Sequence, residues 1–158
     1  MPRQFFYISI LTIIVALLAC SNVRRLKPAN MIIGIATVGF SLVFENILGT
    51  VLGLYYYIKP EFSVIYIVIA SIFIYPPLNI IYTLFLPRKR NNIFVYTLLW
   101  IGAMMFFEYF SIIAGTVVLT GWKPFPWSVI TYIVTYTWIN LFYAYLQWNM
   151  EKSSENRI

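Results

Sequence analysis

Residues 93–120 read IFVYTLLWIGAMMFFEYFSIIAGTVVLT, an apolar run interrupted by one charge, Glu108. A helix needs roughly 20 such residues to cross the hydrocarbon of a bilayer. Four further stretches match that requirement or approach it: 5–20, which is the shortest, 31–58, 62–86 and 127–148. The runs are continuous, whereas barrel strands are segments of about 10 residues of alternating character. The expected class is therefore all-α: an integral membrane bundle of five transmembrane helices, a single membrane domain over 1–158 with a polar tail at 149–158. Breakers separate the runs at Pro28 and Asn30, Lys59-Pro60, Pro87-Arg88, and Lys123-Pro124-Phe125-Pro126. Runs 31–58 and 93–120 exceed the hydrocarbon thickness, so those helices should tilt or project.

Composition points the same way. Of 158 residues, 61% are hydrophobic and 10% charged, against about a quarter charged in soluble domains. A soluble core of this length cannot hide that much apolar surface. The net charge of +6 does not indicate a nucleic-acid partner, because the basic residues sit in short clusters beside apolar runs, where they set membrane orientation. Arg24, Arg25, Lys27, Arg88, Lys89, Arg90, Lys152 and Arg157 fall in one set of loops, and only Arg3, Lys59 and Lys123 in the other. The richer set should be cytoplasmic, which puts the N-terminus outside and the C-terminus in the cytoplasm. Trp122, Trp127 and Trp148 mark helix ends, where an apolar ring with a polar N–H is favoured.

The first run has a second reading. Leu17-Leu18-Ala19-Cys20 has the form of a lipoprotein cleavage site, and cleavage there would leave four spans. Against it, the leader carries only Arg3, and Arg24, Arg25 and Lys27 would lie on the wrong side for export.

Internal matches suggest a tandem two-helix repeat, spans two and three against spans four and five. Phe44-Glu45 matches Phe107-Glu108, Lys59-Pro60 matches Lys123-Pro124, Ser63-Val64-Ile65 matches Ser128-Val129-Ile130, and Asn79-x-x-Tyr82 matches Asn140-x-x-Tyr143. Two spans per copy imply a pseudo-two-fold along the membrane normal.

There is no histidine, no aspartate and one cysteine, Cys20. This removes the commonest metal ligand and general base and any internal disulfide framework. No metal, cofactor or catalytic residue is expected. Glu61, Glu151 and Glu155 fall in loops or the tail. Glu45 and Glu108 are different: each is expected about midway along its span. A charge at bilayer depth costs on the order of 3 kcal/mol or more, a cost that falls if the carboxyl is protonated or finds donors inside the bundle. If the two approach each other at the pseudo-two-fold, they should titrate as a coupled pair. Either they bind a proton or cation, or they are polar glue between helices. Asn79 with Tyr82, and Asn140 with Tyr143, share helix faces at i, i+3 and supply amide and hydroxyl groups able to satisfy the glutamates. Tyr75-Pro76-Pro77 predicts a kink in span three, since each proline removes an N–H. Gly49-x-x-x-Gly53 is a helix-packing notch within the chain or in a homodimer, and Gly39, Gly102 and Gly115 are similar. Tyr55-Tyr56-Tyr57 reads as part of the outer aromatic belt.

Glu108, the Trp122…Trp127 turn, Tyr75-Pro76-Pro77-x-Asn79 and the basic Arg88-Lys89-Arg90 loop together resemble a family of small multi-span membrane proteins of spore-forming Gram-positive bacteria. The resemblance covers spans two to five. It implies a bacterial cytoplasmic membrane and this topology, and brings no activity with it.

Three function classes follow: a transport or ligand-binding protein with a central site on Glu45 and Glu108; a non-catalytic subunit of a membrane complex; and an enzyme acting on a lipid or isoprenoid. Membrane lipids, a second copy or another membrane protein are the expected partners.

Overall fold

A computed structural model of the chain describes residues 1–155. Arg157, counted above among the basic residues, and the side chains of Glu151 and Glu155 lie outside the described residues. The chain runs α1 (Pro2–Val23), α2 (Pro28–Glu45) prolonged by a π-helical turn (Asn46–Val51), β1 (Tyr55–Tyr57), a 3-10 turn (Pro60–Phe62), α3 (Ser63–Phe73), α4 (Tyr75–Leu84), α5 (Arg90–Ile113), β2 (Val117–Leu119), a π turn (Pro124–Ser128) and α6 (Val129–Glu155). Among the described residues the fold is all-α apart from two short strands. Five helices among the described residues are long and apolar enough to cross a membrane: Pro2–Val23, Pro28–Val51, Pro60–Leu84, Arg90–Ile113 and Pro124–Met150.

Pro60–Leu84 is the central pillar. Of its apolar stretch 56% is buried, against 11–17% in the other four. The outer helices turn large apolar side chains away from the core, among them Leu11 and Leu18 on α1, Leu99 and Phe106 on α5, and Val134 and Leu141 on α6. An apolar coat of this extent is compatible with a multi-pass membrane protein.

The pillar breaks where its prolines stand. Pro76 and Pro77 have no N–H for the carbonyls of Ile72 and Phe73, so α3 stops at Phe73 and α4 restarts at Tyr75, with Ile74 at φ −107° and ψ −62°. Below the break α2 lies close on α4. A Cβ on Gly34 would stand 2.7 Å from Ile80 Cδ1, whereas one on Gly102 would meet nothing within 4 Å. Gly34→Leu is therefore expected to lower stability by about 1–3 kcal/mol through overpacking and Gly102→Leu to leave it nearly unchanged, as read by thermal unfolding in detergent.

The runs 31–58 and 93–120 do not stay helical to their ends. Their helices stop at Val51 and Ile113, and the remainder forms an antiparallel ribbon, Tyr55 opposite Leu119, Tyr56 opposite Val118 and Tyr57 opposite Val117. Gly53 at φ +61° and Gly115 at φ +70° turn the chain from helix to strand. The two are thus turn residues, not packing notches. Gly49 does pack closely, but within the chain, against Tyr55 and Ile67. Gly39, like Gly102, has open space around it. The Leu54 carbonyl accepts the N–H groups of Thr120, Gly121 and Trp122 at 2.9–3.0 Å and ties the two loops together. At the other terminus, α6 continues through the polar residues after 148 to Glu155, because polar side chains do not themselves end a helix.

Two contacts fix how α1 runs. Thr116 Oγ1 donates to the Pro2 carbonyl at 3.1 Å, so α1 starts at the ribbon end. Arg24 Nη1 donates to the Leu84 carbonyl at 3.2 Å, so α1 finishes where α4 does. There the guanidinium caps a free helix carbonyl and lies over the Phe85 ring, 4.9 Å from its centroid.

Candidate site: two carboxylates in one aromatic cavity

Glu45 is the last residue of regular α2, and Glu108 lies five residues before the end of α5. Both stand within about 10 Å of their helix ends at 1.5 Å per residue, nearer the ribbon than the midpoint expected from the apolar runs. The shift arises because the last residues of those runs belong to the ribbon.

Glu45 is held from three directions. Its Oε2 accepts the hydroxyls of Tyr55 at 2.9 Å and Tyr57 at 3.1 Å, and its Oε1 accepts that of Tyr75 at 2.8 Å. The Tyr57 and Tyr75 hydroxyls also meet at 2.8 Å. Strand geometry places Tyr55 and Tyr57 on one face, and the break at Ile74 places Tyr75 opposite. Tyr55 and Tyr57 are therefore buried donors and not members of an exposed belt. Burial, and then the adjacent Glu45 carboxylate, push both phenols well above their ordinary range, so both remain protonated.

Glu108 is met by the start of α6. Its Oε1 accepts Ser128 Oγ at 2.6 Å and its Oε2 accepts the Tyr132 hydroxyl at 3.0 Å, the two donors lying one turn apart. Ser128 Oγ in turn accepts Trp122 Nε1 at 2.9 Å. Ser128→Ala would leave both Trp122 Nε1 and Glu108 Oε1 short of a partner. It is expected to lower the unfolding free energy by about 1–3 kcal/mol, measured by thermal denaturation beside Thr131→Val, which removes only a local bond to the Trp127 carbonyl in the adjoining π turn.

The two carboxylates line one cavity of 890 Å³, at the large end of ligand pockets, which span about 300–1,000 Å³. Its walls are aromatic and aliphatic, with Phe40, Phe44, Phe107, Trp122 and Trp138 among them. Among the described residues that line it there is no lysine or arginine. Among the described residues no group of three or more His, Cys, Asp or Glu side chains comes together. A two-carboxylate cavity of this kind suits protons or a cation, whose charge the acids neutralise and whose surroundings the aromatic faces favour.

The asparagine–tyrosine pairs do not serve the glutamates. Asn79 lines the cavity, but its Nδ2 donates to Thr37 Oγ1 at 3.2 Å. Tyr82 donates to Asn140 Oδ1 at 2.8 Å and meets Thr97 at 2.7 Å, while Asn140 Nδ2 donates to Thr97 at 3.2 Å. The Tyr143 hydroxyl accepts from Asn30 Nδ2 at 3.3 Å. The reason is depth. Asn140 lies eight residues beyond Tyr132 on α6, about 12 Å further from the ribbon, so these groups knit a second polar layer.

The residues missed in the sequence are Tyr55, Tyr57, Tyr75, Ser128 and Tyr132 as partners of the acids, and Trp122 as the partner of Ser128. A signal existed for two of them, the i, i+2 spacing of Tyr55 and Tyr57. Compared with known proteins, the chain matches no family model, no curated protein and no solved structure.

Proposed function

We propose that this chain is a multi-span protein of a bacterial cytoplasmic membrane that binds or transports a cation in exchange with protons at Glu45 and Glu108. The observation that carries the reading is the convergence of two carboxylates on one 890 Å³ aromatic cavity whose described lining includes no basic side chain. Each acid keeps phenol or hydroxyl donors that serve a carboxylate. Membrane insertion is supported by the five apolar helices and the apolar outer coat. Orientation, with the N-terminus outside, is supported by the basic residues gathering at the end opposite the ribbon.

A duplicated two-helix unit underlies the site. Gly53 and Gly115 are 62 positions apart, as are the strand centres Tyr56 and Val118. An antiparallel ribbon centred on that pair is what a two-fold axis between the units would generate. The copies have diverged at the acids. Ser128 bonds Glu108, while its counterpart Ser63 accepts the Tyr57 N–H at 3.1 Å. The alternative of a structural subunit docking through Gly49 and Gly53 loses its motif, because Gly49 is covered by Tyr55 and Ile67 and Gly53 lies outside the helices.

The test is proton release. Purified protein in lipid nanodiscs with weak buffer is mixed with sodium, potassium, ammonium and tetraphenylphosphonium salts, and a pH dye reports protons displaced. Cation-dependent release is expected. No release and no binding of any of these cations would reject the reading.

A further inference from the structure

The cavity has a side that neither the ribbon nor the inner polar layer closes. Helices α2 and α6 run in opposite directions and meet at Phe40 and Trp138, whose ring centroids are 4.5 Å apart. On the ribbon side of that contact lie Phe44, Trp127, Ile130 and Val134. These four line the cavity, yet are 57%, 53%, 46% and 62% exposed on the outer surface. Side chains that face both the cavity and the surroundings define an opening. It lies level with the acids: Phe44 precedes Glu45, and Glu108 is bonded by Ser128 and Tyr132, which flank Ile130. Toward the ribbon the cavity is bounded by Leu54, Leu119 and Trp122, and toward the basic end by Tyr136 and Ile139.

Resting on the proposed cation site, we infer that the ligand is a lipophilic organic cation, an ammonium or phosphonium carrying apolar groups, and that it enters sideways from the bilayer between α2 and α6. An opening rimmed by Phe, Trp, Ile and Val admits apolar surface without loss of hydration, and excludes a small hydrated ion that would shed its water there. Inside, the cation meets two carboxylates and aromatic faces, and the volume holds a molecule of many heavy atoms rather than a single ion.

The experiment measures binding of radiolabelled tetraphenylphosphonium and its rates in phosphatidylcholine nanodiscs, with tetramethylammonium as competitor. Wild-type protein should bind the lipophilic ion saturably, and tetramethylammonium should compete about a hundredfold or more less well, having far less apolar surface to bury. Val134→Trp should narrow the opening and slow both association and dissociation by about tenfold, because it raises the barrier on the path in either direction. Ile133→Trp, on the same helix, exposed and outside the cavity lining, should change neither. Saturable binding that persists in Val134→Trp shows that the variant still folds. Equal rates in the two tryptophan variants, with Glu45 and Glu108 still required, would overturn the lateral route and leave the proposed site standing. Equal affinity for tetramethylammonium would overturn the ligand class. Binding of no cation at all would remove the site and this inference together.

Discussion

Glutamine at both Glu45 and Glu108 should reduce cation binding and cation-linked proton release to the level of protein-free bilayers. The substitution is isosteric: the one amide oxygen accepts on one side, from Tyr55 and Tyr57 or from Tyr75 at position 45 and from Ser128 or Tyr132 at position 108, while the amide N–H groups donate to the hydroxyl oxygen on the other side. What disappears is the charge. Removing one partner of a buried charge pair costs about 2–5 kcal/mol, and about 1.4 kcal/mol is a factor of ten. Each single variant should therefore weaken cation binding by about a hundredfold and leave a measurable residue, because the second carboxylate still faces the same cavity. Thermal stability should be held or raised, since glutamine carries no charge into the bundle. Isothermal titration with single and double variants, beside a melting curve for each, makes the check. Wild-type affinity in the double variant would end the assignment of these acids to a site.

Replacement of Asn30 by leucine should be the most destabilising single polar change in the inner layer, about 2–4 kcal/mol. Asn30 is only 1% exposed and acts as a hub. Its Oδ1 accepts the Lys27 N–H at 2.9 Å and caps α2, while its Nδ2 donates to Thr83 Oγ1 at 3.0 Å on α4 and to the Tyr143 hydroxyl at 3.3 Å on α6. Hydrogen bonds between membrane helices average about 0.6 kcal/mol and reach about 1.7, and a helix cap contributes about 1 kcal/mol. Three such bonds on one residue give the stated range. Asn149→Leu is the control, because that side chain reaches only the Tyr145 carbonyl in its own helix, at 3.0 Å. Reversible unfolding in mixed micelles, followed by far-ultraviolet circular dichroism, compares the two. Equal stability would show that the hub is not what joins α2, α4 and α6.

The acids drew attention in the sequence because a carboxylate inside an apolar run is costly wherever the chain folds. Their donors did not. Tyr75 and Glu45 are 30 residues apart, Tyr132 and Glu108 are 24 apart, and neither pairing follows from a helical or strand period. Asn30 read as a connector breaker, and it became a hub only through Tyr143, 113 residues away. The asparagine–tyrosine spacing did place each pair on one face of a helix, yet which layer of the bundle that face meets depends on how far each helix slides along its neighbours.

From the sequence alone came the all-α class, the five apolar helices, the break at Pro76 and Pro77, and the two acids as the costly exceptions. Each of these is additive along the chain: hydropathy sums over a window, a proline lacks its N–H in any fold, and a charge carries its desolvation cost residue by residue. The tertiary structure alone decided that the ends of two apolar runs leave the helix to pair as a ribbon, that this ribbon turns Tyr55 and Tyr57 onto Glu45, and that Phe44, Trp127, Ile130 and Val134 line the cavity while facing outward. Those outcomes depend on which distant groups satisfy one another's hydrogen bonds when the helices pack, and that is a property of pairs of segments rather than of any one of them.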